Sequence, residues 1–444
     1  MEVVDDARPP LNASDTDAVI VRPCRPLTGT VRVDGSKNAA LPLLATAASL
    51  RRNVHLSGVP ASADVQLMVG LLQRSGYRVT HPVAEPRDVV IHPKDGSTAA
   101  TGLEDAARIR ASYYLVTPLL AAYGRADLPW PGGCRIGQRG MDLHFSVYEL
   151  FGDTVTLAEG GYRVRAGSRR DKVALALPFR SRGASIAAIL RAVVAGSRLE
   201  LGNPNLSPET TGVLTALRAA GWQTHASEEK ITLAPPSHLP DGAVPLSLVV
   251  PGDKIEAGTL ACAIAASGGE GRIEGIHGPD VQALADLLIG VGVPVTLALD
   301  ALSVHRGQPT GRPLRALASL DPGGLDADFE PPLMALALAL PGTHQFADVI
   351  NPGRHGNLLP QLAALGADIE EITPTQCRLT GPQQLTGGAT VRATDIRTGS
   401  ALLIAALHAR GSTTVVGLDQ LRRGHADLPA KLRALGADIT EGPR

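Results

Sequence analysis

The sequence predicts an α/β protein assembled from six copies of one helix–strand–helix–strand unit, with the first helix of each unit inside and the strands outside. Three observations predict it. The chain has 444 residues, well beyond the roughly 100–200 of a usual domain, so it must form several domains or one repeat-built body. An apolar helix-like run that ends in glycine and passes into a short strand-like tail recurs at Gly76, Gly152, Gly221, Gly292, Gly366 and Gly436, at intervals of 69 to 76 residues. Each interval also opens on polar or charged residues followed by a helix-length run of small and large apolar residues on all faces, the pattern of a helix buried all round.

Taken in order, residues 1–17 begin MEVVDDARPPLNASD, acidic and proline-containing, and read as a flexible tail without the basic and apolar regions of a signal peptide. The first unit opens with SKNAALPLLATAASL, continues through the strand-like NVHLSG and closes on LLQRSGYRVT. The second opens with IRASYYLVTPLLAAYG, a helix expected from Arg110, and closes on ELFGDTVT. SRGASIAAILRAVVAG, SRLELGN and LRAAGWQTH make the third; IEAGTLACAIAASGG, GRIEG and LIGVGVPVT the fourth. FEPPLMALALALPG and LAALGADIE frame the fifth, and IRTGSALLIAALHARG, TTVVGL and LRALGADIT the sixth.

Composition narrows the function. The chain is 44% hydrophobic with only 5 Phe, 2 Trp and 6 Tyr, so its cores must be aliphatic. Lys+Arg number 42 against 43 Asp+Glu, which removes the electrostatic footprint of a general nucleic-acid or anionic-membrane binder. Only six of those cations are lysines (37, 94, 172, 230, 254 and 431); arginine, the side chain suited to bidentate grip on carboxylate and phosphate, supplies the rest. Apolar stretches such as Leu333 to Leu340 fall far short of the roughly 20 residues of a membrane span. Four cysteines (Cys24, Cys134, Cys262, Cys377), none in a CxxC pair, fit a reducing cytoplasm.

Chemistry concentrates at the helix starts: Lys37-Asn38, Arg110-Ala111-Ser112, Ser181-Arg182-Gly183, Glu256-Ala257-Gly258 and Arg397-Thr398-Gly399. Helix N-termini present unpaired N–H groups and a positive dipole end, so several converging on one place would attract an anion. The glycine-rich, proline-bounded WPGGCRIGQRGMDLH places Cys134 within five residues of Arg135 and Arg139, and a thiol beside cations has its pKa lowered and becomes reactive. There is no GxxxxGK[ST], SGGEGRIEG misses the GxGxxG spacing, and neither HExxH nor clustered Cys/His marks a metal site, so neither metal nor cofactor is expected. Among 12 scattered histidines, His355 and His425 read as solvated or capping residues.

GSKNAALPLL, PGGCRIG with Arg139 and DLH, PGDKIEAGT, ATDIR and LRRGHADLPAKLRALGADI, in this order, resemble the enolpyruvyl transferases, over the chain from about residue 18 to its end. The resemblance implies a two-domain inside-out α/β barrel with three units per domain. One domain would span residues 37–250; 18–36 plus 251–444 would form the other, the chain crossing twice between them. It implies transfer of the enolpyruvyl group of phosphoenolpyruvate (PEP) to an acceptor hydroxyl, with release of phosphate and no cofactor. Small molecules, not nucleic acid or membrane, would be the partners. By motif position, Lys37, Arg139 and Arg423 would hold the phosphate and Arg397, oriented by Asp395, the carboxylate, with Arg110 lining the same pocket. Cys134 would protonate the vinyl carbon or add to PEP, as the fosfomycin target, and Asp328 would be the base for the acceptor hydroxyl. Asn38, Asp142, His144, Ser181 and Gly183 would contact a nucleotide acceptor.

Three segments depart from the family. RRGHA stands where DRGYE is usual, ADFE replaces TDLQ, and NPGRHGN replaces the ENRF segment, leaving either Arg354 or His355 in the place of its arginine. The departures cluster at acceptor-facing and lid-facing segments while the PEP-binding cations persist. The acceptor therefore reads as a uridine nucleotide of specialised type, such as the 3′-hydroxyl of UMP in nucleoside-antibiotic biosynthesis. Alternatives are UDP-N-acetylglucosamine, for peptidoglycan synthesis, and a non-catalytic nucleotide-binding homologue.

Overall fold

The computed structural model describes residues 17–93, 100–133, 136–137, 140–237 and 245–442; the proposed tail, but for Asp17, lies outside them. Two separate hydrophobic cores organise the chain. The first gathers residues between Ala40 and Val250; the second joins Val19–Val33 to residues between Ile255 and Ile439. Around the first lie α1 (Lys37–Ser49), α2 (Ala63–Arg74), α3 (Val116–Tyr123), α4 (Asp142–Leu150), α5 (Arg182–Ala195) and α6 (Pro208–Ala219). Around the second lie α7 (Lys254–Ala266), α8 (Gln282–Gly290), α9 (Glu330–Ala337), α10 (Arg354–Ala364), α11 (Ile396–Leu407), α12 (Leu418–Arg422) and α13 (Leu428–Ala434).

The opening helices of the units are interior on every face. All twelve residues of α11, all eight of α9 and the first eleven of α7 are buried, which explains why their sequences show no polar stripe. Truncating one such side chain, Leu403→Ala for example, would cost about 2–5 kcal/mol. The sheets wrap the outside, alternating buried and exposed residues along their strands, as in Arg198–Gly202.

The repeat has a topological signature. In five of the six sheets among the described residues, a central strand pairs in parallel with one neighbour and antiparallel with the next, followed by an antiparallel edge. Arg198–Gly202 lies parallel to Lys172–Ala176 and antiparallel to Lys230–Ala234; Glu270–Glu274 does the same between Thr28–Arg32 and Ala301–Val304. Among the described residues, the sheet of the second unit has three strands and no parallel pair. The six recurring glycines share one job: each has φ between 83° and 101°, the left-handed region a glycine enters at no steric cost where a helix turns into its strand.

One element differs from the expected pattern. The helix anticipated from Arg110 is a 3-10 turn over Arg110–Leu115, and α3 begins only at Val116. Pro118 contributes to the late start, although α1 and α10 carry Pro42 and Pro360 inside unbroken helices. Pro118 lacks the N–H that would pair with Tyr114 in an α-helix, and the Tyr114 carbonyl instead accepts from the Thr117 hydroxyl at 3.4 Å.

Candidate active site

The unit starts of both cores converge on one cavity of about 1020 Å³, lined by Lys37 and Asn38, Arg110, Ser181–Gly183, Lys254, Asp326–Phe329 and Asp395–Arg397. Its size is at the upper end for ligand pockets, enough for two small molecules together. Capping fixes these starts. Ser36 accepts from the Ala39 N–H, Ser181 from Ala184, Asp253 from Ile255 and Glu256, and Asp395 from Arg397 and Thr398. Each cap occupies some of the orphan donors of the helix and leaves the rest of the first turn directed at the cavity.

At one end, two carboxylates are each clamped by two cations. Asp64 takes Lys37 Nζ at 3.5 Å and Arg423 Nε at 3.0 Å. Asp328 takes Arg354 Nη2 on Oδ1 at 2.8 Å and Arg397 Nη2 on Oδ2 at 2.9 Å. Burial alone would raise the Asp328 pKa, but the guanidinium groups of Arg397 and Arg354 outweigh it and hold the carboxyl well below the usual range. Arg354 also pairs with the buried Asp348 at 3.1 Å. The Lys37–Asp64–Arg423 set therefore carries one net positive charge, and the Arg354–Arg397–Asp328–Asp348 set sums to neutral.

At the other end, His144 on α4 packs against Tyr113 with ring centroids 4.5 Å apart and the planes tilted by 55°. It is buried, neither ring nitrogen has a hydrogen-bond partner, and burial, aided by the nearby Arg110, pushes its pKa down to about 3. Gly183 makes room for it: a Cβ there would stand 2.6 Å from His144 Nε2 and 2.9 Å from Tyr113 Oη. Asp142, in the first turn of α4, lines the same side. Between the ends, Lys254 reaches Asp326 at 2.9 Å and Glu209 at 3.9 Å, while Arg182 reaches Glu209 at 3.5 Å. These charges tie the first core to the second.

The structure thus gathers Lys37, Asn38, Arg110, Asp142, His144, Ser181, Gly183, Asp328, Arg397 and Arg423 around one space. Cys134, Arg135 and Arg139 lie outside the described residues. Residues flanking them are placed: Ile136 O accepts from Gly353 N at 3.1 Å, and Gly140 O accepts from Arg110 at 3.2 Å.

Several expectations are corrected. In the fourth unit, Lys254 lines the cavity, whereas Glu256 is buried behind it on Lys431. His355 and His425 are not solvated; His355 Nε2 bonds Glu330 at 2.7 Å and His425 Nε2 faces Arg397 Nη1 at 3.0 Å, both buried. Of the two residues near the ENRF position, Arg354 reaches the cavity and His355 turns into the core. Asp395 orients Arg397 through the backbone, as a cap, not through the guanidinium. Asp64, Glu209, Lys254 and Asp326 were missed, whereas Arg182 was named only as part of a helix start. The rarity of lysine was the available signal, since Lys37 and Lys254 are two of only six.

Comparison with known proteins agrees with this geometry. The family model described as EPSP synthase (3-phosphoshikimate 1-carboxyvinyltransferase) matches residues 21–432. UDP-N-acetylglucosamine 1-carboxyvinyltransferase 2 of Listeria monocytogenes is 32% identical over 427 residues, covering 96% of this chain and 98% of that protein. UDP-N-acetylglucosamine 1-carboxyvinyltransferase of Caulobacter vibrioides is 33% identical over 419 residues, covering 93% and 95%. Among solved structures, the enolpyruvyl transferase NikO from Streptomyces tendae superimposes with a TM-score of 0.82 at 26% identity, covering 96% of this chain and 99% of that one. EPSP synthase from Acinetobacter baumannii, at 18% identity and a TM-score of 0.73, covering 96% and 100%, shares the fold. The protein is an enolpyruvyl transferase of the EPSP synthase family.

Proposed function

We propose that the protein transfers the enolpyruvyl group of PEP to a hydroxyl of a uridine nucleotide and releases phosphate. The observation that carries this is the pair of clamped carboxylates beside converging helix starts. PEP brings a phosphate and a carboxylate. The phosphate, with the larger charge, suits the net-positive Lys37–Asp64–Arg423 set together with Arg110 and Arg139. The carboxylate suits Arg397, which would exchange Asp328 for it.

That exchange matters for catalysis. While Asp328 holds both arginines its basicity is suppressed; when the PEP carboxylate takes over Arg397, Oδ2 is released and the carboxylate regains proton affinity. Asp328 then accepts the acceptor's hydroxyl proton as the acceptor oxygen bonds to C2 of PEP, and Cys134 delivers a proton to C3. Loss of that C3 proton and departure of phosphate from C2 return the vinyl ether. The two cores are read as two domains, 37–250 and 18–36 plus 251–444, closing over the substrates. The cytoplasm is the proposed compartment, given that Cys24, Cys262 and Cys377 are free thiols and no CxxC pair occurs in the sequence.

The acceptor would lie at the His144 end, with Asn38, Asp142, His144, Ser181 and Gly183 around it. The departures RRGHA, ADFE and NPGRHGN favour a specialised acceptor such as the 3′-hydroxyl of UMP. A second reading, UDP-N-acetylglucosamine, is favoured by the names of the curated relatives. Incubating the enzyme and PEP with UMP, UDP or UDP-N-acetylglucosamine, and measuring phosphate release and product mass, separates them. We expect turnover with UMP and its loss in Cys134→Ala; release with none of the three, or full activity of Cys134→Ala, would overturn the respective assignment.

A further inference from the structure

His425 and Glu256 lie behind the cavity, outside the roles assigned above. Arg397 bonds two groups through different nitrogens, Nη2 to Asp328 at 2.9 Å and Nη1 to His425 Nε2 at 3.0 Å. Arginine has donors only, so His425 Nε2 must be the acceptor, and a neutral imidazole then carries its hydrogen on Nδ1. That nitrogen faces Glu256 Oε1 at 3.8 Å, and neither atom has a hydrogen-bond partner. The other Glu256 oxygen is held by Lys431 Nζ at 2.6 Å and by the Asp34 N–H at 2.8 Å. Lys431, Glu256, His425, Arg397 and Asp328 thus stand in a row, bonded at every step but the 3.8 Å between His425 and Glu256, from the segment where the chain passes between the cores to the proposed PEP site.

The geometry points to His425 as the positioning residue of Arg397: a neutral acceptor, backed by Glu256, that fixes the guanidinium without cancelling its charge. The distinction is electrostatic. Arg354, Arg397, Asp328 and Asp348 already sum to neutral, so a carboxylate in place of the imidazole would make this end repel an incoming carboxylate. A hydrocarbon there would leave a buried guanidinium N–H unsatisfied. Burial first, then Arg397 of α11, Lys431 of α13 and Lys37 of α1 keep His425 neutral against Asp328; Glu256, 3.8 Å away, has its own pKa pushed up by burial to about 7. The proton affinity of His425 falls well below the ordinary histidine value. When Arg397 leaves Asp328 for the substrate, the His425 bond is the one that stays and determines where the guanidinium points.

The inference rests on Arg397 as ligand of the PEP carboxylate, and two measurements keep its failure separate from failure of that reading. In the unliganded protein, ¹⁵N NMR of His425 should show the Nδ1–H tautomer unchanged between pH 5 and 9; an Nε2–H tautomer or a titration in that range overturns the arrangement whether or not the enzyme turns over. In steady-state assays, His425→Leu should raise KM for PEP at least tenfold with the acceptor KM within twofold of wild type. His425→Gln, whose amide oxygen can replace Nε2 as acceptor, should recover to within about threefold. Equal losses in both variants, or an unchanged KM in His425→Leu, overturn the positioning role. Wild-type protein that releases no phosphate with any acceptor overturns the functional reading, and the positioning role with it, and leaves the tautomer to be decided by NMR alone.

Discussion

The two ends of the cavity solve opposite problems. Around Asp64 and Asp328 each carboxylate is held by two cations; around His144 a buried ring has no hydrogen-bond partner at all. A clamped carboxylate is a placeholder that a substrate anion can displace, since removing it unpaired would strand buried charge at a cost of several kcal/mol. An unpartnered neutral ring is held in place by packing against Tyr113 and Gly183, so any hydrogen bond it makes must come from what enters. On the proposed assignment, the donor end would be built for exchange and the acceptor end for completion.

The sharpest way to break this contrast is at Asp328. Asp328→Asn should lower kcat by about 10²–10⁴-fold, the range for removal of a general base, with a much smaller change in KM for PEP. A pure PEP-binding defect would show the residue to be a clamp and nothing more. Next is the pH response of the acceptor end. Because the folded-state pKa of His144 is depressed from 6.5 to about 3, the unfolded chain takes up a proton below pH 6.5 that the fold refuses. Stability from this group is present above pH 6.5 and declines as pH falls. Between pH 7.5 and 5 the wild-type protein should lose roughly 2 kcal/mol more than His144→Gln, read from urea midpoints at both pH values; identical pH slopes would refute a neutral buried His144.

Gly183→Ala should act on the acceptor alone. The added methyl meets His144 Nε2 at 2.6 Å, so an increase of about tenfold in acceptor KM, roughly 1.4 kcal/mol, is expected with KM for PEP unchanged; an equal rise in both would dissolve the division between the ends. The smallest effects belong to the caps. Ser36→Ala and Ser181→Ala should each cost about 1 kcal/mol of stability, measured by thermal unfolding, but only the second should also weaken the acceptor. A matching acceptor defect in Ser36→Ala would show that cap loss acts through general loosening.

Much of the architecture was legible because repetition averages away local ambiguity. Six glycines at similar intervals, all later found near φ 90°, identify a shared turn that no single one would. The unit starts named the cavity for a related reason: polar residues opening an apolar helix have nowhere to go but its end. What stayed hidden were contacts between distant segments. Asp64 opens an ordinary amphipathic helix, and nothing local reveals that it meets Arg423, 359 positions later. His425 looked solvated because RRGHADL is a polar string, yet tertiary packing buries it against Arg397. Pro118 could have warned that the helix at Arg110 would start late, since a missing N–H is visible in the sequence.

The chain passes between its two cores at two places, and these lie side by side, joined by a bridge between Gly35 and Gly252 and by the hydrogen bonds from Ser36 N to Pro251 O at 2.7 Å and from Asp253 N to Asp34 O at 2.8 Å. If the domains close as proposed, such a joint would work as a strap hinge. A single tether would leave one lobe able to swivel about the other in any direction, but two stitched tethers oppose torsion and shear and leave bending as the compliant motion. Each passage leads directly into a helix start that lines the cavity, Lys37 on one side and Lys254 on the other. A change in the bend angle therefore moves two lysines as a pair, like opposed jaws on a common pivot, with no intervening loop to absorb the stroke.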